Sequence, residues 1–170
     1  MVEESLTAIA EAAAGGDSAA LTRYFAHIQA QLEGEGYFGE TLGVRIVSFA
    51  IDKISMRMPH NKRVLRQGDI FHGGAVMGFA DHASGCAFLS DPRVVAGGMA
   101  GVSTDFNASF LRRSRPDEAL IANANVIRRG RSITFVSVSV CGESSGDEIL
   151  VARATCAGLA YTRVGSWANA

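Results

Sequence analysis

Apolar and polar positions along the chain change period several times. Over residues 18–33, Leu21, Phe25, Ile28 and Leu32 recur at i, i+4, i+7 and i+11, the stripe of an amphipathic helix. An alanine-rich stretch, 3–14, predicts a shorter helix before it, broken by Gly15-Gly16, with Asp17 placed to cap the second. EGEGYFGETLG (33–43) predicts a loop. The period then shortens: 44–51 and 53–58 predict two strands close enough to form a hairpin, and 59–69 a polar connector. In ITFVSVSVC, Val136, Val138 and Val140 alternate with Ser137 and Ser139, a strand with one buried face. Long strands are predicted at 99–111, 118–128, 131–141 and 148–163, with GESSGD (142–147) as a turn. Successive strands on short connections imply an antiparallel sheet.

Between the two groups of strands lies the run DIFHGGAVMGFADHASG (69–85). Hydrophobicity alone fits a strand or a helix over 73–89; length and Ala and Met content favour a buried helix, Gly74, Gly78 and Gly85 count against it, and such glycines suit close approach of other backbones. Asp81 sits in the middle of that helix. The bland reading is a structural acid held by a buried hydrogen bond, since an unpaired one costs several kcal/mol or takes up a proton. The helix, however, opens on His72-Gly73-Gly74. A helix N-terminus offers unpaired N–H groups and a partial positive charge. With no side chain in the way, the Gly73 or Gly74 N–H can hold a carbonyl oxygen as it becomes negative. The same glycines also make a tight turn into the helix. Gly73 and Asp81 are eight residues apart, about 12 Å along the axis, too far to share one carbonyl. If they act together, Asp81 comes from one subunit and Gly73 from another, across a twofold axis.

Composition narrows the picture. The chain has 170 residues, formal net charge −1 and 48% hydrophobic content, which suits one domain and gives no bulk reason to bind nucleic acid. Lys53 and Lys62 are the sole lysines; arginine supplies the remaining positive charge. The three cysteines, Cys86, Cys141 and Cys156, have neither metal-ligand nor CxxC spacing, which fits a reducing, cytoplasmic setting. The acidic start MVEESLTAIA is a poor signal peptide, and the apolar run 70–89 is too interrupted for a membrane span. Turning about 100° per residue, Cys86 lies about 140° from Asp81, against a Cys-His nucleophile. No His, Cys and acid cluster has metal spacing.

HGGAVMGFAD (72–81), GVSTDFNASFLRRS (101–114) and VIRRGRS (126–132) together resemble the hotdog-fold acyl-CoA thioesterases of the phenylacetate-pathway (PaaI-like) type, over most of 37–163. The resemblance implies an α+β hotdog fold, an antiparallel sheet wrapped around the central helix, with extra N-terminal helices. It implies a division into an appendage, 1–36, and a thioesterase domain, 37–170. It also implies homodimers, commonly paired into tetramers. Residue by residue, Asp81 matches the catalytic acid, as base or nucleophile, and Gly73 the backbone donor to the thioester carbonyl. His72 matches the histidine that shapes the helix entry, and Ser103 a hydroxyl that holds the water or the acid. The family often has Asn or Gln six positions before the histidine. That position is Arg66 here, with Gln67 beside it, and a one-residue shift puts Gln67 in the carbonyl-side role.

Arg112, Arg113, Arg115, Arg128, Arg129 and Arg131 cluster in two loops. Singly each reads as solvated rim. As a group, with Gly130 making a turn, they are candidates to receive the phosphates of CoA, above all Arg113, Arg128, Arg129 and Arg131. Met77, Phe88, Met99 and Phe110 are candidates for the acyl pocket. The expectation is hydrolysis of an acyl-CoA thioester, CoA being part of the substrate and no separate cofactor or metal required. The alternatives are a non-catalytic acyl-CoA sensor and a hotdog enoyl-CoA hydratase or dehydratase.

Overall fold

A computed structural model of the chain describes residues 5–34 and 37–160. The predicted positions 3, 4 and 161–163 lie outside them. The helices are α1 (Leu6–Ala14), α2 (Ser18–Leu32), α3 (Phe38–Leu42), α4 (Gly73–Leu89) and α5 (Pro92–Ala96). The strands are β1 (Arg45–Ala50), β2 (Lys53–Met58), β3 (Leu65–Arg66), β4 (Ile70–Phe71), β5 (Met99–Phe110), β6 (Leu120–Arg129), β7 (Ile133–Gly142) and β8 (Glu148–Ala160). Six strands form one antiparallel sheet in the order β1-β2-β6-β7-β8-β5, and β3 pairs with β4 in a small ribbon. This is the hotdog fold, with additional helices ahead of it.

The sheet curls around α4 because its inner positions are small. Ala122 and Ala124 of β6, Val136, Val138 and Val140 of β7, and Ala152 and Ala154 of β8 are all buried beneath the helix. From α4 they receive Val76, Phe79, Ala80, Ala83 and Ala87, also buried. Alanines on both partners bring the axis close to the sheet, and burying this apolar surface is worth roughly 25 cal/mol per Å2. The alternation Val136-Ser137-Val138-Ser139 resolves as expected: the valines face α4 and the serines face outward.

Three differences from the sequence expectations have clear causes. On α2 the buried face is Ala20, Tyr24, Ile28 and Leu32, while Phe25 is only partly buried. Tyr24 is fully buried because its hydroxyl donates to the Leu89 carbonyl at 2.6 Å, capping the end of α4. Phe25 instead stacks at a tilt on Phe49, with ring centroids 4.6 Å apart. Second, the predicted loop contains α3, closed by Gly43 in the left-handed conformation (φ 68°) and anchored by buried Leu42. Third, α5 follows α4 directly, with Asp91 as N-cap and Pro92 at its first position. α1 packs on α2 and α5, so the N-terminal helices are seated over the C-terminal end of α4.

Candidate active site

The two ends of the site grow from one helix. His72 is the N-cap of α4: its Nδ1 accepts from the Gly74 N–H at 3.0 Å, and its own N–H donates to the Val64 carbonyl at 2.9 Å. That arrangement consumes Gly74 and leaves Gly73. Among the described residues no acceptor meets the Gly73 N–H. A Cβ at position 73 would lie 3.4 Å from the Phe110 ring, so glycine keeps this face clear. The N–H borders a cavity of about 460 Å3 lined by His72, Phe110, Arg66, Arg112 and Arg113.

Asp81 is half-buried, and Ser103 Oγ donates to its Oδ1 at 2.7 Å. The contact depends on a bulge. Ser103 pairs with Cys156 and Asp105 with Thr155, so Thr104 is the extra residue on β5. Thr104 is held by its own hydroxyl on the Thr155 carbonyl, at 3.1 Å, and Ser103 meets the helix. Asp81 borders two cavities. One, of about 360 Å3, is shared with Met77, Gly78, Thr104 and Asp105. The other, of about 880 Å3, lies between α4, β5 and the N-terminal helices. Gly73 and Asp81 therefore open on different spaces of one protomer.

The nearby nucleophiles are quiet. Burial pushes the Cys86 thiol up, and Cys156, beside Ser84 and Ser103, is raised for the same reason. His82 is lowered by burial, only partly offset by the Asp81 charge, and stands neutral at pH 7.

Other sequence candidates fall apart in space. Gln67 is exposed on the β3–β4 turn, whereas Arg66 lines the Gly73 cavity. Arg112 and Arg115 share Asp147, at 3.0 and 2.7 Å, while Arg113 makes no ion pair among the described residues. Arg129 is committed inside the fold. Its Nε donates to Asp52 at 2.7 Å, its other nitrogen donates to the Ala87 and Phe88 carbonyls, and its side chain is 17% exposed. It caps the C-terminal end of α4. Gly130 makes the β6–β7 turn through its N–H to the Ile133 carbonyl, and Arg131 borders a small cavity with Phe88. Arg128 lies exposed on the outer face near Arg153. The arginines of the two loops thus gather at opposite ends of α4. The candidate acyl-pocket residues separate likewise: Met77 is beside Asp81, Phe88 and Met99 are at the far end, and Phe110 is against Gly73. Sequence reasoning missed Tyr37, Phe38, Gln31 and His82, which border the large cavity. The aromatic pair in an otherwise glycine-rich stretch was the available signal. Among the described residues no group of three or more His, Cys, Asp or Glu is placed to hold a metal ion.

The thioesterase superfamily pattern matches residues 68–149, the span that carries both Gly73 and Asp81. An esterase-named protein of Thermoplasma volcanium is 31% identical over 103 residues, 61% of this chain and 71% of that protein. The chain belongs to the thioesterase superfamily. Human acyl-coenzyme A thioesterase 13 is 28% identical over 119 residues, 69% of this chain and 82% of the relative. Among solved structures, zebrafish thioesterase superfamily member 2 aligns with TM-score 0.69 at 25% identity, covering 81% of this chain and 96% of its own. A Haemophilus influenzae thioesterase aligns with TM-score 0.65 at 25% identity, covering 74% and 85%. As a superfamily member the chain is a thioester hydrolase, and its α4 start and Asp81 lie within the matched region.

Proposed function

We propose that this thioesterase hydrolyses acyl-CoA esters at sites shared between two subunits, with residues 1–36 as an appendage on a thioesterase domain of 37–170. The observation that carries this reading is the separation on α4. A free N–H at Gly73 and a hydroxyl-held carboxylate at Asp81 are about 12 Å apart along one axis and open on different cavities. Two copies of α4 running antiparallel bring the Gly73 of one beside the Asp81 of the other. The edge of the sheet supports such pairing. β5 is the last strand, twelve residues long, and its outer edge has no strand beside it among the described residues. An unpaired edge of that length is a template for a second copy.

In this arrangement the thioester carbonyl accepts from the Gly73 N–H, which stabilises the oxyanion as it forms. Asp81, steadied by Ser103, takes a proton from water as the oxygen bonds to the carbonyl carbon. Direct attack by the carboxylate is the other route. Collapse breaks the C–S bond, and the proton passes to the departing CoA thiolate. Arg66 and Arg113 stand beside Gly73, on the side where the CoA phosphates would lie, and Arg131 and Arg128 of the partner would approach from the other chain. The naming of acyl-coenzyme A thioesterase 13 supports CoA as the carrier. No helix among the described residues is long and apolar enough to cross a membrane, and a cytoplasmic setting remains our reading.

The test is complementation. Proline is favoured at the first position of a helix, and His72 already has the extended backbone (φ −68°, ψ 133°) that a following proline requires. Gly73→Pro therefore deletes the donor with little disturbance. Co-expressed with Asp81→Asn chains, it should give mixed dimers with one intact site, and about a quarter of wild-type turnover in a random mixture. Hybrids that assemble but release no thiol would overturn the shared site. Binding of acyl-CoA without thiol release by the wild type would favour the sensor.

A further inference from the structure

The cavity of about 880 Å3 beside Asp81 has a boundary that the family match does not cover. It runs from Asp81 and Ser103 toward the C-terminal half of α4, and the opposite wall is made by the end of α2 together with Tyr37 and Phe38. Phe38 is laid directly on the face of α4 that bears the acid. A Cβ at Gly78 would stand 2.8 Å from the Phe38 ring, and that ring meets His82 edge-on at 6.2 Å. Gly78, Asp81 and His82 are neighbours on one helical face. The N-terminal helices thus wall the space next to the reacting carboxylate.

The chemistry of that space is one-sided. Its lining is mostly apolar, including Leu32, Phe38, Cys86, Leu89 and Val102, with polar Gln31 and Tyr37 on the N-terminal wall and no Lys or Arg among the described residues. Among the described residues Asp81 is its one carboxylate; burial keeps His82 neutral, and His27 is the other imidazole of the lining. A second carboxylate would find no Lys or Arg among the described residues there, whereas a neutral hydrocarbon would displace water from the apolar walls. A volume of about 880 Å3 lies within the range of pockets that enclose a whole small ligand. Gly85, one turn beyond Asp81, borders the same space, and a Cβ built on it meets nothing within 4 Å.

From this we infer that the cavity between α2, α3 and α4 is the acyl chamber, that it takes an uncharged apolar acyl group much longer than acetyl, and that the N-terminal helices set its size. This rests on the hydrolase reading above for the direction in which the acyl group points. It does not depend on whether the site is shared between subunits.

Gly85→Leu places a side chain in the chamber from the helix, and Phe38→Ala removes part of the opposite wall. The measurement is kcat/KM for thiol release from acetyl-, hexanoyl- and dodecanoyl-CoA, with thermal melting to verify folding. The wild type should prefer dodecanoyl over acetyl. Gly85→Leu should lower that preference by at least about tenfold, and Phe38→Ala should change the chain-length profile in its own direction, as substitutions on both walls of one pocket must. Hydrolysis with a profile unchanged by folded variants would overturn the chamber and leave the hydrolase reading intact. Binding of uncharged 1-decanol, followed calorimetrically, asks the same question without turnover. Binding by the wild type that weakens at least about tenfold in Gly85→Leu supports the chamber even if no thioester is cleaved. Equal binding by both proteins, or none by the wild type, overturns it.

Discussion

Two cavities flank the same helix, and their linings are opposite in kind. At the start of α4 a free backbone N–H lies among Arg66, Arg112 and Arg113. At its middle, Asp81 borders a large, mostly apolar space with no arginine or lysine among the described residues. An acyl-CoA has the same two-part character, a highly charged carrier joined to a neutral acyl group through one carbonyl. A single protomer separates the Gly73 N–H from Asp81, so on the proposed function each cavity holds half of what hydrolysis needs. The contrast argues that polarity is distributed along α4 by function, since packing alone would favour alanine and valine throughout.

The hardest blow to this contrast is removal of either half. Asp81→Asn keeps shape and the Ser103 contact but removes the proton acceptor, and should lower kcat by about 10^2 to 10^4. Gly73→Pro should cost about 10^2 to 10^3, the usual effect of losing one oxyanion donor. Thiol-release kinetics on folded proteins check both. If either retains full activity, that half of the helix is not catalytic.

A smaller effect sharpens the arginine side. Among the described residues Arg113 makes no ion pair, whereas Arg112 is paired with Asp147. Arg113→Ala should raise KM for a CoA ester by about tenfold, in line with the loss of one charge-assisted hydrogen bond, and weaken its salt dependence. A pantetheine thioester lacking the nucleotide should be indifferent. An equal effect on both substrates would remove Arg113 from phosphate binding.

The smallest effect belongs to the apolar side. His82 has its pKa lowered from 6.5 by burial. Its neutral form is the one the fold accommodates, so its contribution is complete above the unfolded value. That contribution is lost as pH falls from about 6.5 toward the folded value, because the unfolded chain takes up the proton first. Melting temperature should decline over that window, and His82→Phe should flatten the decline. An unchanged slope would mean that the ring is solvated.

Much of this was legible in residue order. The span of α4 was readable from the length of the apolar run and its Ala and Met content, which outweighed the three glycines and a strand reading. The strands were readable because alternation such as Val136-Ser137-Val138 works in one geometry only. Asp91-Pro92 followed by Gly97 is a cap, first-turn and exit signature that could have revealed α5. Other features carried no local signal. Arg129 looks like its neighbours in RRGR, yet the β6–β7 turn delivers it beneath α4, where two carbonyls and Asp52 absorb its charge. On α2 the choice between Tyr24 and Phe25 as the buried face is a rotation of one residue, settled by the Leu89 carbonyl sixty-five positions away.

Residue order alone thus specifies the main strands, the central helix and the distance that bars Gly73 from Asp81, because helix rise and strand period are local quantities. Which side chains share a cavity, which arginines are spent on the fold and which wall faces the acid depend on how elements dock. Docking is chosen by the burial of whole surfaces, and no short window of residues contains that information.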